Sequence, residues 1–68
     1  MKLSARNQLP GKIVEIKEGA VNAVVKIEIA KDIVISSTIS VDAVKELGLT
    51  VGSEATAVIK ATSVMLMA

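Results

Sequence analysis

A run of hydrogen-bond donors lies near the amino terminus of the chain, at Ser4-Ala5-Arg6-Asn7-Gln8. The run combines a hydroxyl, a guanidinium and two amides, and it contains no acidic side chain. A tetrahedral dianion has four oxygens that each accept about two hydrogen bonds, so its site needs many donors and only one or two cations. The small side chain of Ala5 would let a ligand or a second backbone come close. The run therefore predicts a site for a small oxyanion, with Arg6 as its first cation.

Such a site needs a second cation, and Lys60 is the best candidate. It follows a largely apolar segment at residues 55–59, near the end of a predicted strand. Ser40 precedes a predicted helix, where its hydroxyl would lie beside free backbone N–H groups. Each residue also has a plain structural interpretation. Arg6, Asn7 and Lys60 can be solvated edge-strand residues, and Ser40 can be a helix cap.

The composition excludes several classes of function. The 68 residues include no His, no Cys and no aromatic side chain. The chain therefore lacks a nucleophile–base pair, and we expect no catalytic residue, no metal site and no cofactor. The net charge of +1 gives little attraction for nucleic acid or membrane surfaces. No apolar run reaches the roughly 18 residues of a membrane span, and the amino terminus does not resemble a signal peptide. A cytoplasmic protein that is not an enzyme is expected.

The size of the chain predicts self-association. A domain of about 60 residues buries only about 60% of the surface of its unfolded chain. Yet 51% of the residues are apolar, and no disulfide can add stability because the chain has no cysteine. Subunit interfaces would supply the missing core. We therefore expect an obligate homo-oligomer, with a small stable monomer as the alternative.

The pattern of β-branched residues predicts an all-β fold, an OB-like five-stranded barrel with one short helix between strands 3 and 4. The predicted strands cover residues 12–17, 21–29, 33–41, 54–62 and 64–67. In the first strand, Val14 and Ile16 are expected on one face and Ile13 on the other. The helix is expected to begin after Ser40 as N-cap and to end at Gly48.

Turns are expected at three places between these elements, and no linker or internal repeat divides the chain. The predicted turns lie at residues 18–20, 31–32 and 51–53. The whole chain, residues 1–68, is therefore expected to form a single domain.

Several motifs along the chain point to a known family. They are Ser4-Ala5-Arg6-Asn7-Gln8 followed by Gly11-Lys12-Ile13, then Ile39-Ser40-Val41-Asp42 leading to Glu46-Leu47-Gly48-Leu49, then Val51-Gly52-Ser53-Glu54, and finally residues 57–65 around Lys60. With these motifs the chain resembles the molbindins, the small molybdate-binding proteins of the Mop (TOBE) family. The resemblance covers the chain from about residue 2 to its end. It implies a single Mop domain with an OB-like fold.

The resemblance also implies a ligand and an assembly. Family members are homohexamers, described as trimers of dimers, that bind molybdate or tungstate at subunit interfaces and serve molybdenum storage or homeostasis. Carried over residue by residue, Ser4, Ala5, Arg6 and Asn7 would come from one subunit. Ser40, Lys60 and Ala61 would come from its neighbour, with Ala61 giving a backbone N–H. This chain has Ala43 where family members often have Ser, so one hydroxyl donor is expected to be missing.

Two other functions remain as alternatives at the level of sequence. An OB-fold module for nucleic acid would stack bases on aromatic rings and line a basic groove. A structural oligomerisation module would need neither aromatic rings nor a basic groove. The absence of aromatic residues and the balanced charge argue against the first alternative.

Overall fold

The computed structural model describes residues 3–68, which form an antiparallel sheet, one short helix and one 3-10 turn. The elements are β1 (Asn7–Glu18), β2 (Asn22–Ala30), β3 (Ile33–Ser40), α1 (Val41–Leu47), β4 (Glu54–Ile59) and the 3-10 turn Ala61–Ser63. The strands are arranged in the order β3-β2-β1-β4, so β3 and β4 are the edges of the sheet. The all-β prediction with a helix between strands 3 and 4 is confirmed.

The central strand β1 pairs with two partners, one along each half. Its first half pairs with β4, from Asn7 opposite Ile59 to Lys12 opposite Glu54, and its second half pairs with β2. The strand therefore begins earlier than the predicted start at residue 12. A Cβ atom at Gly11 would collide with the backbone carbonyl of Glu28. Glycine at this position thus permits the close approach of β1 and β2.

A bulge in β1 corrects the predicted faces of this strand. The pairing of β1 with β2 shifts register between Ile13 and Glu15, which leaves Val14 as an extra residue. Ile13 is buried and Ile16 packs partly against the core, whereas Val14 is exposed. The prediction that Val14 and Ile16 share a face was wrong, because the extra residue reverses the alternation after Ile13.

The core is formed by one face of the sheet and by the helix. Among residues 3–68, the buried ones are Ile13, Ala23, Val25, Ile27 and Val44. The alternating pattern predicted for β2 is confirmed at its three buried positions. The short hairpin between β2 and β3 is also confirmed, with Asp32 at φ 62°.

The capping residues predicted at both ends of α1 are confirmed. The Ser40 hydroxyl accepts a hydrogen bond from the Ala43 N–H at 3.0 Å, as an N-cap does. Gly48 ends the helix in the left-handed conformation, with φ 64°. Val44 is buried, whereas Leu47 is 68% exposed although the spacing predicted it on the same apolar face.

The predicted fifth strand at residues 64–67 was wrong. This stretch follows the 3-10 turn and pairs with no strand within residues 3–68. We call residues 64–68 the C-terminal segment. Its backbone is extended at Val64, but its side chains project into solvent. Four strands therefore form the sheet instead of five, and alternation alone did not reveal that this segment lacks a partner in its own chain.

An apolar trough of about 440 Å³ separates the two edge strands. Ile35, Ser37 and Ile39 of β3 line one side, and Ala57 and Ile59 of β4 line the other. Within the described residues β3 and β4 do not pair with each other. The trough is therefore bordered by two strand edges that remain apart in this chain.

The surface of the chain is large for its mass. A compact monomer of 7.1 kDa is expected to expose about 4,100 Å², whereas this chain exposes 5521 Å². Apolar side chains contribute to the surplus, including Val21, Val51 and most of the C-terminal segment. Between residues 3 and 68, the only α-helix has seven residues, and no helix meets the length and hydropathy needed to cross a membrane.

Candidate functional site

The start of β1 and the end of β4 lie side by side, and every predicted site residue except Ser40 is found there. Asn7 pairs with Ile59, and the chain continues from this pair to Arg6 on one strand and to Lys60 on the other. Directly opposed residues of antiparallel strands have Cα atoms about 4.5–5.5 Å apart. Arg6 and Lys60 are therefore close neighbours within one chain. We call residues 4–7 together with Lys60 and Ala61 the cationic corner.

Asn7 anchors the cationic corner with a side-chain hydrogen bond. Its Nδ2 donates to the carbonyl oxygen of Ile59 at 3.2 Å, in a partly buried position. One amide N–H is used in this way, so a second N–H remains for a ligand. The next residue, Gln8, turns its amide back toward the carbonyl oxygen of Ala5, at 3.5 Å. The corner thus holds its donors in place through contacts of its own chain.

The two cations of the corner differ from the other basic residues in their surroundings. Every other described lysine has an acidic neighbour in sequence or across the sheet: Lys12 with Glu28 and Glu54, Lys17 with Glu18, Lys26 with Glu15, Lys31 with Asp32, and Lys45 with Glu46. Within residues 3–68, neither Arg6 nor Lys60 forms an ion pair. Both side chains are exposed. Their charges are therefore available to an anion from solution.

Lys60 and Ala61 lie where β4 gives way to the 3-10 turn. The Lys60 carbonyl accepts a hydrogen bond from the Ser63 N–H at 2.8 Å, which closes the turn. The first N–H groups of a helical turn have no acceptor within that turn. The Ala61 N–H is the first of this turn, in the residue that follows Lys60. A backbone donor and a basic side chain therefore belong to consecutive residues at this end of β4.

Ser40 does not join the cationic corner within the chain. It is the last residue of β3, on the opposite edge of the sheet, and it pairs with Asn22 of β2. Its hydroxyl oxygen accepts the hydrogen bond from the Ala43 N–H, so the structural interpretation as a helix cap is correct. The hydroxyl proton can still be donated. Ser40 therefore keeps one hydrogen-bond donor while it caps the helix.

Ala43, the position at which a further hydroxyl was expected to be missing, lies in the first turn of α1. Its N–H is bound by Ser40, and its side chain is half-buried. Residues 40 and 43 thus lie one helical turn apart at the start of the helix. A serine at position 43 would place a second hydroxyl near the first.

A second concavity, of about 480 Å³, lies on the sheet around Lys12. Its lining includes Glu28 and Glu54, both cross-strand partners of Lys12. Two carboxylates facing one ammonium disfavour a dianion at this place. The cationic corner therefore remains the better candidate, although it is an open surface in a single chain.

The donor set of the corner fits a tetrahedral dianion in both charge and number. Arg6 offers a planar fork of N–H groups, and Lys60 offers three donors on a flexible stem. The neutral donors are the Ser4 hydroxyl, the remaining Asn7 N–H and backbone N–H groups. Two positive charges balance two negative ones. Sequence reasoning found these residues individually, but their adjacency depends on the β1–β4 pairing.

Comparison with known proteins gives a consistent result. The family model described as TOBE domain matches residues 3–66. The chain is 65% identical over 65 residues to a "Probable molybdenum-pterin-binding protein" of Haemophilus influenzae, covering 96% of this chain and 94% of that protein.

Two solved structures are also similar to this chain. A molybdate-binding protein from Sporomusa ovata superposes with a TM-score of 0.93 at 34% identity, and the match covers 100% of both chains. The cytoplasmic molybdate-binding protein ModG, solved with molybdate bound, gives a TM-score of 0.86 at 48% identity. That match covers 90% of this chain and 43% of ModG, so this chain spans less than half the length of ModG. The OB-like fold prediction is confirmed by these likenesses.

Proposed function

The chain belongs to the TOBE-domain family, and within it to the small Mop proteins, and from this we infer that it binds molybdate as an intact oxyanion. The names of its relatives describe binding and not a reaction. The chain therefore acts as a binding protein that leaves the anion chemically unchanged. Its residues contact the oxygens of the anion through hydrogen bonds and charge, and none of them contacts the metal.

The observation that carries this proposal is that Arg6 and Lys60, unlike the other described basic residues, have no acid beside them. Two cations that meet without an acid between them repel each other, and a dianion bound between them removes that repulsion. Hydrogen bonds in which the partners are charged are about twice as strong as neutral ones. The neutral donors at Ser4 and Asn7 restrict the orientation of the bound anion. The chemistry of the corner thus favours a compact anion over a cation or an apolar ligand.

The proposed site is completed by a second copy of the chain. Ser40 lies on the far edge strand, so it reaches residues 4–7 of a partner more readily than those of its own chain. We assign Ser4, Ala5, Arg6 and Asn7 to one copy and Ser40, Lys60 and Ala61 to its neighbour. The surplus surface of about 1,400 Å² over a compact monomer supports an extensive contact between copies. The proposed assembly is a homohexamer built as a trimer of dimers.

Tungstate is a second proposed ligand, since it matches molybdate in shape and charge. The proposed role is storage and homeostasis of molybdenum in the cytoplasm. The similarity to ModG, which is described as cytoplasmic, supports the location. A molybdenum–pterin complex, as named for the Haemophilus relative, is the competing ligand. The chain has no aromatic residue on which a pterin ring would stack, which favours the free anion.

Isothermal titration calorimetry tests the proposal directly. The purified protein is titrated with molybdate, tungstate, sulfate and phosphate, and separately with a metal-free pterin. We expect heat and saturation with molybdate and tungstate, and little response to the pterin. An absence of molybdate binding would overturn the proposal. Binding of the pterin alone would instead favour the competing ligand.

The oligomeric state is measured in the same samples. Light scattering behind size-exclusion chromatography needs refractive-index detection, because the chain lacks Trp and Tyr. We expect a particle of six times the 7.1 kDa chain mass. An oligomer that binds no anion would support the purely structural module, and a stable monomer would contradict the two-copy site.

A further inference from the structure

We infer that Gln8 is a positioning residue of the anion site. Its side-chain amide fixes the Ala5–Arg6 peptide group so that the backbone N–H of Arg6 faces the anion and the carbonyl oxygen of Ala5 does not. This inference rests on the proposed function and deepens it, because it names a residue outside the assigned set that prepares the site before the anion arrives. It also adds the Arg6 backbone N–H to the donors of the guanidinium.

The segment that carries the proposed donors begins outside the sheet. Strand β1 starts at Asn7, and the chain bends at Ser4 and Arg6 before it. Between residues 3 and 68, no backbone–backbone hydrogen bond of the turns and loops involves residues 4–6. Pairing within the sheet therefore does not set the directions of the peptide groups in this segment.

Gln8 supplies a contact that the sheet does not. Its Nε2 donates to the carbonyl oxygen of Ala5 at 3.5 Å, three positions back along the chain. Among the side-chain hydrogen bonds within residues 3–68, this one alone reaches residues 4–6. The backbone of Gln8 is itself held in β1, opposite Val58 of β4. The direction of the Ala5 carbonyl therefore depends on an amide that the sheet holds in place.

The geometry of the peptide bond transmits this contact to Arg6. The Ala5–Arg6 bond is trans, so its planar group holds the C=O and the N–H in opposite directions. The Ala5 carbonyl points toward the Gln8 amide, and the Arg6 N–H therefore points away from it. Successive side chains of a strand lie on opposite faces, so Asn7 is on the side away from Gln8. The Arg6 N–H is thereby turned toward the side on which Asn7 offers its amide.

The orientation of this peptide group decides whether it attracts or repels a dianion. Within residues 3–68 the Arg6 N–H has no acceptor, so it is available to an anion. If the group turned over, the partly negative carbonyl oxygen of Ala5 would replace this donor. Hydrogen bonds to a charged acceptor are stronger than neutral ones, and a donor fixed in advance loses less freedom on binding. Gln8 therefore raises the affinity without contacting the anion.

Calorimetry on Gln8→Met is the first test, because methionine has a similar length and no donor. We expect the Kd for molybdate to rise roughly 2- to 10-fold. The thermal midpoint should change little, since Gln8 is exposed. The matched control is Thr56→Val, which removes a polar group from an exposed residue on the same face, opposite Pro10 and away from the cationic corner. The control should bind as the natural chain does.

The backbone amide signal of Arg6 distinguishes positioning from a direct contact. Assigned 15N–1H NMR spectra are recorded with and without molybdate. We expect the anion to shift the Arg6 and Ala61 amide signals of the natural chain, and in Gln8→Met the Arg6 shift should shrink while the Ala61 shift remains. Equal affinity of Gln8→Met and the natural chain would overturn the inference. A weaker affinity with the full Arg6 shift would also overturn it, because Gln8 would then contact the anion itself.

NMR relaxation of the anion-free protein tests the contact without any ligand. We expect the order parameter of the Arg6 N–H to be about 0.85 in the natural chain and to fall below about 0.6 in Gln8→Met. A chain that loosens in this way but binds no molybdate overturns the proposed function and leaves the Gln8–Ala5 contact standing. A chain that binds molybdate, with the same Arg6 order parameter in both forms, overturns the inference alone.

Discussion

Asn7 and Ile59 are opposed across β1 and β4, and the Asn7 side-chain amide also donates to the Ile59 carbonyl oxygen at 3.2 Å. This pair joins the start of β1 to the end of β4, 52 positions apart in sequence. It also explains why Arg6 and Lys60 become neighbours, since each stands one residue beyond it. The first predictions therefore concern these two cations.

Removal of either cation should weaken molybdate binding strongly. Arg6→Ala and Lys60→Ala each leave the dianion without one charge-assisted contact, and we expect the Kd to rise roughly 10- to 150-fold. Calorimetry measures the effect. Lys31→Ala is the control, because it removes the same charge at the β2–β3 hairpin beside Asp32. Normal binding by both corner variants would show that the anion binds elsewhere.

Mixed oligomers should reveal which copy supplies each cation. If Arg6 and Lys60 of one site come from different copies, as we propose, co-refolded Arg6→Ala and Lys60→Ala chains regenerate some intact sites. We expect the mixture to recover tight binding at a fraction of the sites, although neither variant binds tightly alone. Titration of the mixture against the separate variants measures this. No recovery would mean that one chain supplies both cations, an arrangement that its β1–β4 pairing also permits.

Ser40→Asp should separate the two roles of Ser40. Aspartate caps a helix about as well as serine, so the thermal midpoint should change little. Its negative charge would repel a dianion, so molybdate binding should be nearly lost. Thermal melts and calorimetry on the same preparation give both values. If binding persists in a stable Ser40→Asp protein, Ser40 is only a cap. Ser40→Asn, which caps without a charge, serves as the control.

Ala43→Ser should strengthen binding by restoring a hydroxyl one helical turn from Ser40. A neutral hydrogen bond contributes about 0.5–1.5 kcal/mol, so we expect the Kd to fall about 2- to 10-fold. The matched control is Ala30→Ser, an exposed position at the end of β2. Equal affinities for both variants and the natural chain would place the start of α1 outside the site.

Gly11→Ala should destabilise the fold without touching the cationic corner. The added Cβ would collide with the Glu28 backbone, which cannot move as a side-chain end can. Overpacking of this kind costs about 1–3 kcal/mol. Urea unfolding, followed by circular dichroism, measures the loss. Gly19→Ala meets only the Asn22 carbonyl oxygen at 3.0 Å and should cost less. Equal stability of both variants would contradict the close approach of β1 and β2.

Local chemistry explains which parts of the fold were predictable. The Ser40 side chain caps the start of α1, and the left-handed backbone of Gly48 ends it. Because both signals are local, the bounds of the helix were predicted correctly. The bulge at Val14 was missed because it depends on how β1 meets β2, and not on the residues of β1 alone. The start of β1 was placed too late, since Pro10 and Gly11 are usually turn residues yet here belong to a paired strand.

The candidate site also has features that local sequence predicts and features that depend on strand pairing. Their donor types made Arg6, Asn7 and Lys60 candidates from sequence. Their adjacency required the pairing of Asn7 with Ile59, which no local pattern indicates. The separation of Ser40 from them likewise follows from the strand order, with β3 and β4 at opposite edges.

The pairing of Asn7 with Ile59 has a practical consequence for work on this protein. The polypeptide enters its sheet at Asn7 and leaves it at Ile59, so extra residues placed near this pair would crowd the cationic corner. Protein for titration is best released from its tag.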